Sequence, residues 1–242
     1  MYTGFPARKQ GSLRKSACSW LWWISQAVKP FYEEAFAVPP ERIYPTGIPV
    51  TDIYFDEERI CQRKSSFYQK YPELASKKIL LYAPTFRRTD EENRQIMDRF
   101  DAERIHQILG DEWVILIRMH PKFPVENLPQ NKYCYNMTDY NDITDLYLVS
   151  DLFITDYSSS VVEYALLDKP ILLFAYDLAE YDRGFYFDYE NMMPGQIAHT
   201  QTELYELLQN NCDNLPKRQN FVKFQYDNMK GDACGRILDI LG

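Results

Sequence analysis

The 242-residue chain is 45% hydrophobic and 15% aromatic, which is enough for a sizeable buried core and unlike a disordered or fibrous protein. Its 27 basic and 35 acidic residues leave a net charge of −8, which argues against nucleic-acid binding and leaves any phosphate binding to local groups. The five cysteines are scattered without a C-x-x-C pair, as is typical of reduced thiols in a cytoplasmic protein without a zinc site.

The first forty residues carry few regular signals. Residues 1 to about 20 mix glycine, proline and basic residues and are expected to be irregular. A helical pattern extends from Trp20 to Phe36 and ends before Pro39, because proline cannot continue a helix. The Trp-rich run at 20–24 is far shorter than the roughly eighteen apolar residues that span a bilayer. We interpret these tryptophans as packing against the domain, with a peripheral membrane contact as the alternative.

Apolar runs then alternate with helical patterns, after a short strand and turn at 42–49 and a polar-faced helix at 56–71. The predicted strands are 78–83, 113–118, 132–135, 152–155 and 170–174, and the predicted helices are 92–109, 142–150, 160–167, 201–209 and 233–241. Such alternation is typical of βαβ units. The strand runs are continuously apolar, as in strands covered on both faces. The sequence therefore predicts an α/β fold with a Rossmann-like parallel sheet and helices on both faces.

Three of the predicted strands end in short polar loops. The polar or conformationally restricted residues of these loops are Pro84, Thr85 and Arg87, then Arg118 and His120, then Asp156, Ser158, Ser159 and Ser160. Ligands of open parallel sheets bind at the carboxyl ends of the strands. One anion-binding crevice formed by the three loops is therefore expected.

The serine run before the helix at 160–167 has two interpretations. Backbone N–H groups at a helix N-terminus, together with serine hydroxyls, suit a phosphate or diphosphate. Alternatively, Ser160-x-x-Glu163 fits a capping box, in which the two side chains satisfy the first-turn donors. Both interpretations are compatible with the sequence.

His120 and Arg87 are further candidates for phosphate binding. A histidine in a fixed loop at a strand end can donate to a phosphate oxygen or move a proton near neutral pH, although it can also simply bond a nearby carbonyl. The guanidinium of Arg87 suits bidentate contacts with phosphate. The chain contains no P-loop, no G-x-G-x-x-G and no G-x-S-x-G motif, which argues against the enzyme classes that use them.

Five motifs follow one another between about Phe31 and the C-terminus. They are Y-A-P-T-F-R at 82–87, R-M-H-P at 118–121, D-Y-N-D-I-T-D-L-Y at 139–147, T-D-Y-S-S-S-V-V-E-Y-A-L-L-D-K-P-I at 155–171 and P-G at 194–195. In this order they resemble the CDP-glycerol glycerophosphotransferase family of teichoic acid synthesis. The motifs are far more specific jointly than any of them is singly.

The resemblance implies that residues 31–242 form the nucleotide-binding lobe of a GT-B fold, in which two Rossmann-like domains face a cleft. It implies transfer of glycerol phosphate or ribitol phosphate from a CDP-polyol to a lipid-linked teichoic acid or capsular polymer, with release of CMP. The expected location is the cytoplasm, peripheral at the inner face of the membrane. No cofactor and no metal ion are implied, and the chain contains no D-x-D pair.

The resemblance also implies a role for each candidate residue. His120 is the expected catalytic residue. The expected diphosphate ligands are Arg118, Ser158, Ser159, Ser160, Thr85 and Arg87. The expected cytidine ligands are Pro84, Asp142, Asp156 and Glu163, with Glu163 at the ribose hydroxyls.

The N-terminal part of the chain departs from the family pattern. Family members carry an N-terminal domain with a histidine motif that resembles the acceptor-side general base, whereas residues 1–30 are expected to be a poorly ordered or helical remnant of a missing lobe. Donor binding is therefore a firmer expectation than turnover. The alternatives are a non-catalytic nucleotide-binding module that needs a partner lobe or a homo-oligomer, and a GT-B enzyme that acts on a UDP-sugar.

Overall fold

The computed structural model describes residues 21–23, 25–120, 128–181, 185, 187–210, 212–227 and 231–242. These residues form a six-stranded parallel sheet with helices on both faces and a separate two-stranded parallel pair. The irregular structure expected for residues 1–20 lies outside the described residues, and so does the tryptophan packing, because the side chains at 20–23 are not among them.

The elements alternate along the chain. The strands are β1 (Leu21–Trp23), β2 (Ile43–Pro45), β3 (Lys78–Tyr82), β4 (Trp113–Ile117), β5 (Cys134–Asn136), β6 (Leu152–Thr155), β7 (Ile171–Phe174) and β8 (Gln196–Ala198). The α-helices are α1 (Lys29–Phe36), α2 (Glu57–Lys70), α3 (Asp90–Arg99), α4 (Ala102–Leu109), α5 (Ile143–Val149), α6 (Ser160–Tyr164), α7 (Tyr189–Met192), α8 (Gln201–Gln209), α9 (Leu215–Tyr226) and α10 (Ala233–Leu241). Short 3₁₀ helices include Pro49–Phe55 and Ala165–Leu167.

The main sheet has the strand order β5-β4-β3-β6-β7-β8, and every pair is parallel. The chain winds from β3 outward to β5, returns to the other side of β3 at β6, and winds outward again to β8. The order therefore reverses between β3 and β6, where Tyr82 pairs with both Ile117 and Ile154. In open α/β sheets this switch point is where a ligand crevice opens at the carboxyl ends of the strands. The predicted Rossmann-like sheet is confirmed.

The core has two layers, one on each face of the sheet. Ile79 and Leu81 of β3 face the cluster that includes Phe67 of α2, whereas Leu80 and Tyr82 face the cluster that includes Ile96 of α3. The four β3 side chains are at most 1% exposed, and burying each large apolar side chain stabilises the fold by about 1.5–3 kcal/mol. The strand sequences are continuously apolar because helices cover both faces of the sheet.

Two predicted helices differ from the structure. The helical prediction from Trp20 is wrong at 21–23, which is strand β1 paired with β2, and α1 begins only at Lys29, with Pro30 in its first turn. The predicted helix 92–109 is two helices, because Phe100 turns into the core and stacks on Tyr82 with ring centroids 3.7 Å apart. Asp101 then caps α4 by accepting a hydrogen bond from a first-turn amide.

Strand β8 and helices α7 and α9 were not predicted. β8 is only three residues long, too short for a periodic pattern, and its position depends on Gly195. A Cβ atom at Gly195 would lie 2.1 Å from the carbonyl oxygen of Ile171, so that only glycine allows this close approach to β7. The P-G motif at 194–195 thus has a packing role at the edge of the sheet.

The C-terminal end of α5 is held by a lysine from the loop before β7. The Nζ atom of Lys169 donates to the carbonyl oxygens of Leu148 (2.8 Å), Ser150 (2.6 Å) and Tyr147 (3.3 Å). The last carbonyl groups of a helix lack hydrogen-bond donors within the helix, and Lys169 donates to these groups at the end of α5. Burial lowers the pKa of Lys169 to about 8, which indicates how little water reaches the ammonium group.

Replacing Lys169 by Met should destabilise the domain, because three carbonyl groups at the end of α5 lose their donor. We expect a loss of about 1–3 kcal/mol in the free energy of unfolding, measured by urea denaturation. Lys77→Met is the matched control, since Lys77 makes one solvent-exposed bond, to the carbonyl of Asp111 (2.7 Å), and should change stability by less than about 0.5 kcal/mol. Equal losses in the two variants would contradict the proposed role of Lys169.

Candidate functional site

The loops after β3 and β6 are joined to one another at the switch point. The hydroxyl of Thr155 donates to the carbonyl of Ala83 (2.7 Å), and the amide of Thr85 donates to the carboxylate of Asp156 (2.8 Å). Thr155 and Asp156 are buried, so these bonds form away from water. The two loops therefore form one fixed edge of the predicted crevice.

A buried ion network ties the loop after β7 to this edge. Arg87 donates from Nη2 to Asp156 (2.8 Å) and from Nε to Asp177 (2.7 Å), and the hydroxyl of Tyr157 also donates to Asp177 (2.8 Å). Arg87 is 8% exposed. Burial works against its charge, but the hydrogen bond with Asp177 and the negative charge of Asp156 raise the pKa of Arg87. The guanidinium therefore stays protonated inside the protein.

This network gives Arg87 and Asp156 a role that the sequence did not show. Their charged groups pair with each other at the strand ends, and their predicted contacts with the donor stay predictions. The sequence shows an arginine and an aspartate after two strands, and it does not show that Asp177, after a third strand, completes the network. We assign the pair to positioning the loops. Pro84 is buried in the same turn and Thr85 lies half-buried beside it, and their predicted ligand roles stay predictions.

The serine run is arranged differently from a capping box. The Oγ atom of Ser158 accepts from the amide of Ser160 (3.2 Å) and donates to the Oγ atom of Ser160 (2.9 Å). Ser159 is the exposed residue directly before α6, and Glu163 accepts from the hydroxyl of Tyr54 (3.1 Å). The capping-box interpretation of Ser160 and Glu163 is therefore wrong. The predicted helix 160–167 ends as α-helix at Tyr164 and continues as one 3₁₀ turn.

Five polar side chains lie together beside α6, and we call Tyr54, Arg118, Asp142, Tyr147 and Glu163 the polar cluster. Burial raises the pKa of Tyr147, whose hydroxyl bonds with the side chain of Ser160 and lies within reach of the charges of Glu163, Arg118 and Asp142. Burial also raises the pKa of Glu163, and the hydrogen bond from Tyr54 opposes that rise. The structure thus brings together three predicted ligands, Arg118, Asp142 and Glu163, next to Ser160.

Asp142 and Arg118 are held in the polar cluster by neighbouring elements. Asp142 caps α5 by accepting from the amide of Thr144 (2.9 Å), and it pairs with Arg63 of α2. Arg118 donates to the carbonyl of Tyr140. Burial lowers the pKa of Arg118, and the negative charge of Asp142 opposes that change. A half-buried cation with a carboxylate nearby is suited to an anionic ligand that has hydroxyl groups.

His120 lies half-buried three residues after the end of β4, with its ring tilted against Phe86 at a centroid distance of 4.6 Å. Phe86 also lines a cleft of about 610 Å³ between α3 and the loops after β7 and β8, whose walls include Arg99, Tyr176 and His199. His120 and this cleft are thus neighbours through one aromatic ring. The catalytic role of His120 and the phosphate contacts of Ser158, Ser159 and Ser160 stay predictions.

Three residues of the site were missed by sequence reasoning. Tyr54, Arg63 and Tyr147 carry no motif of their own that marks them as ligands or supports. Tyr147 is the last residue of the D-Y-N-D-I-T-D-L-Y motif, and membership in that motif was the one sequence signal that could have marked it as part of the site. Tyr54 and Arg63 come from segments that precede the main sheet in the chain and reach the site only through folding.

Among the described residues, no group of three or more His, Cys, Asp or Glu side chains is arranged to hold a metal ion. No helix in the same part of the chain is both long enough and apolar enough to cross a bilayer. Metal-independent chemistry stays a prediction.

A family model, curated relatives and solved structures all point to the same protein family. The family model for CDP-glycerol:poly(glycerophosphate) glycerophosphotransferases matches residues 3–241. The teichoic acid poly(ribitol-phosphate) polymerase of Bacillus spizizenii is 35% identical over 221 residues, which are 89% of this chain and 36% of that protein. A solved structure of the wall teichoic acid polymerase TagF superposes with a TM-score of 0.74 at 28% identity and covers 92% of this chain.

The fold alone is shared more widely. The UDP-GlcNAc 2-epimerase of Neisseria meningitidis superposes with a TM-score of 0.60 at 16% identity, over 92% of this chain and 61% of that chain. The corresponding share of the TagF chain is 57%. The chain thus spans between about a third and three fifths of the relatives described here, and these likenesses confirm the prediction of a single GT-B-type lobe.

Replacing Arg87 by Met should destabilise the domain strongly, because Asp156 would be left as an unpaired buried charge. We expect a loss of about 3–5 kcal/mol in the free energy of unfolding. The double variant Arg87→Met/Asp156→Asn should recover part of that loss, since it removes the unpaired charge. Arg88→Met, at the exposed neighbouring position, is the control and should stay within about 0.5 kcal/mol of the parent protein. No recovery in the double variant would overturn the assigned pairing.

Proposed function

The chain belongs to the CDP-glycerol:poly(glycerophosphate) glycerophosphotransferase family, and we propose that it provides the donor-binding lobe for transfer of a polyol phosphate from a CDP-polyol to a teichoic acid or capsular polymer. The observation that carries the proposal is the polar cluster beside Ser160, at the carboxyl ends of the strands next to the switch point. A cation, serine hydroxyls and carboxylates lie there side by side. That set matches a ligand with a diphosphate and a sugar.

The diphosphate is proposed to bind Arg118, His120 and the serine run at 158–160. A hydroxyl of the acceptor attacks the phosphorus that carries the polyol, and the bond from that phosphorus to the oxygen of CMP breaks. Negative charge then develops on the leaving phosphate of CMP. Donors already positioned around that phosphate stabilise the transition state more than the ground state, which is how an enzyme accelerates phosphoryl transfer. His120 is proposed to donate to the leaving phosphate.

The cytidine is proposed to bind the side of the site that carries Asp142 and Glu163. Carboxylate oxygens accept hydrogen bonds from ribose hydroxyls, and Pro84 provides an apolar surface near the end of β3. In support, a variant of the similar polymerase TagF has been soaked with CDPG. Whether the donor carries glycerol or ribitol is to be tested, because the family description names glycerol phosphate and the Bacillus spizizenii relative is a ribitol-phosphate polymerase.

Acceptor binding is proposed to require a further lobe. The chain corresponds to 36% of the Bacillus spizizenii polymerase and to 57% of the TagF chain, so that those proteins contain regions with no counterpart here. Such a lobe, or a partner that supplies it, would take the proton from the acceptor hydroxyl. A lipid-linked acceptor and a nucleotide donor together suggest a cytoplasmic location at the inner face of the membrane, with at most a peripheral membrane contact. No cofactor is proposed.

Calorimetric titration with CDP-glycerol, CDP-ribitol and UDP-GlcNAc tests the donor class. We expect one of the two CDP-polyols to bind at least tenfold more tightly than UDP-GlcNAc, because Asp142 is proposed to accept from the amino group of cytosine, which uracil lacks. A preference for UDP-GlcNAc would overturn the proposal and favour a UDP-sugar enzyme with the same fold. Binding of a CDP-polyol without release of CMP in the presence of acceptor would indicate a donor-binding module that needs its partner lobe.

Replacing His120 by Ala should weaken binding of the preferred CDP-polyol by about tenfold or more, because a hydrogen bond to a charged phosphate contributes about 1.5–3 kcal/mol. His106→Ala is the matched control. The ring of His106 stacks on Tyr133 with centroids 4.2 Å apart, on α4 and away from the switch point, and its loss should leave the affinity unchanged. Unchanged affinity in the His120 variant would remove this residue from the proposed site.

A further inference from the structure

Tyr54 reaches the proposed donor site from outside the main sheet. It lies in the 3₁₀ segment Pro49–Phe55, and its hydroxyl donates to the Oε2 atom of Glu163 at 3.1 Å across 109 residues of sequence. The side chain is 8% exposed. None of the motifs that suggested the donor site includes this residue. The contact therefore adds an element to the site that the family pattern did not assign.

The segment that carries Tyr54 is held in place by hydrogen bonds of Thr51 and Asp52. The Thr51 hydroxyl donates to the carbonyl of Ile48 (2.7 Å), and the two carboxylate oxygens of Asp52 accept from the amides of Ala233 (2.7 Å) and Cys234 (3.0 Å) at the start of α10. Two successive residues before Tyr54 are thus bonded to different parts of the chain. The phenol is held in place by its backbone as well as by its contact with Glu163.

The contact has a chemical consequence for Glu163. Burial and the nearby negative charge of Asp142 favour the protonated form of this carboxyl group, and the bond from Tyr54 favours the ionised form. Burial and the charge of Glu163 raise the pKa of Tyr54, which keeps the phenol neutral and able to donate at any working pH. Tyr54 is therefore a donor toward Glu163, and it occupies Oε2 so that a ligand hydroxyl is expected at Oε1.

We propose that Tyr54 is a positioning residue that holds Glu163 as an ionised acceptor for the ribose hydroxyls of the donor, and that it thereby sets the preference for ribonucleotides over 2′-deoxyribonucleotides. The inference rests on the proposed function, since it assumes a cytidine nucleotide in this site. The alternative is a purely structural contact that fastens the 3₁₀ segment to α6. The two differ in whether the ribose preference changes when the phenolic oxygen is removed.

The test is titration of Tyr54→Phe with CDP and with 2′-deoxy-CDP. The parent protein should prefer CDP, and the variant should lose about tenfold of that preference, with most of the change in affinity for CDP. Tyr226→Phe is the matched control, because the hydroxyl of Tyr226 donates to the carbonyl of Val162 (3.0 Å) beside Glu163 without bonding its carboxylate. The control should keep the parental preference. Thermal melting of both variants shows whether each is folded.

The pH dependence separates positioning from structural support. The charged or titratable groups near Glu163 include Tyr54, Asp142, Tyr147 and Tyr226, and Arg118 lies near Tyr147 and Asp142; burial keeps the three tyrosines neutral. The ionised carboxylate of Glu163 accepts from ribose more strongly than the protonated group, so the preference for CDP should weaken as the pH falls through the pKa of Glu163. Without Tyr54 that pKa rises, and the preference should weaken at higher pH. Glu163→Gln keeps only an uncharged acceptor and should have a reduced preference without this pH dependence, whereas a retained pH dependence would point to Asp142 as its source.

The outcomes are distinguishable. A parent protein that binds neither nucleotide would overturn the proposed function, and the inference with it. A parent protein that binds both equally, or a folded Tyr54→Phe variant that keeps the parental preference and pH profile, would overturn the inference alone. If Tyr54→Phe does not fold, Glu163→Gln decides, because the full parental preference with the parental pH dependence there would show that an ionised Glu163 is not the acceptor.

Discussion

The ion network of Arg87 with Asp156 and Asp177 is the constraint on which the rest of the site depends. Its three charged groups follow three different strands, β3, β6 and β7, and the paired atoms lie 2.7–2.8 Å apart, with Arg87 and Asp156 buried and Asp177 half-buried. Desolvation makes such buried pairs costly, and replacement by apolar residues is often neutral or stabilising. Charges at these positions therefore contribute little to stability as such. What they contribute is a defined geometry for the loops at the strand ends.

That geometry extends from the network to the polar cluster. Asp156 accepts from the amide of Tyr157 (2.6 Å) as well as from Thr85, so the backbone that leads into the serine run has one allowed course. The amide of Ser160 donates to Ser158, which starts α6 in a fixed direction and places Glu163 one turn further on. On the opposite side, Lys169 closes the end of α5, the helix that carries Tyr147 and is capped by Asp142. Members of the polar cluster are thus held in place by contacts with neighbouring elements.

The sequence predicted the strands of the main sheet better than it predicted the contacts between their loops. β3, β4, β6 and β7 agree with the predicted runs to within one residue at each end, because burial on both faces leaves a continuous apolar signal, whereas β8 has only three residues and leaves none. The loops could be grouped at one edge because parallel strands end together. The partners of these side chains could not be predicted. The sequence does not show that Asp177 pairs with Arg87, and Tyr54 is separated by 109 residues from Glu163, which it meets only in the folded chain.

The charge distribution of the polar cluster bears on how a donor would be oriented. A diphosphate carries negative charge, and two carboxylates close to it would repel it, particularly in a chain with a net charge of −8. Arg118 lies near Asp142, and the serine hydroxyls lie at the start of the helix that carries Glu163, so groups that favour phosphate lie close to carboxylates. A nucleoside diphosphate placed with its ribose at Glu163 would gain hydrogen bonds there, whereas the reversed orientation would place phosphate against Glu163. The carboxylate of Glu163 would in this way select one orientation of the donor while it weakens phosphate binding.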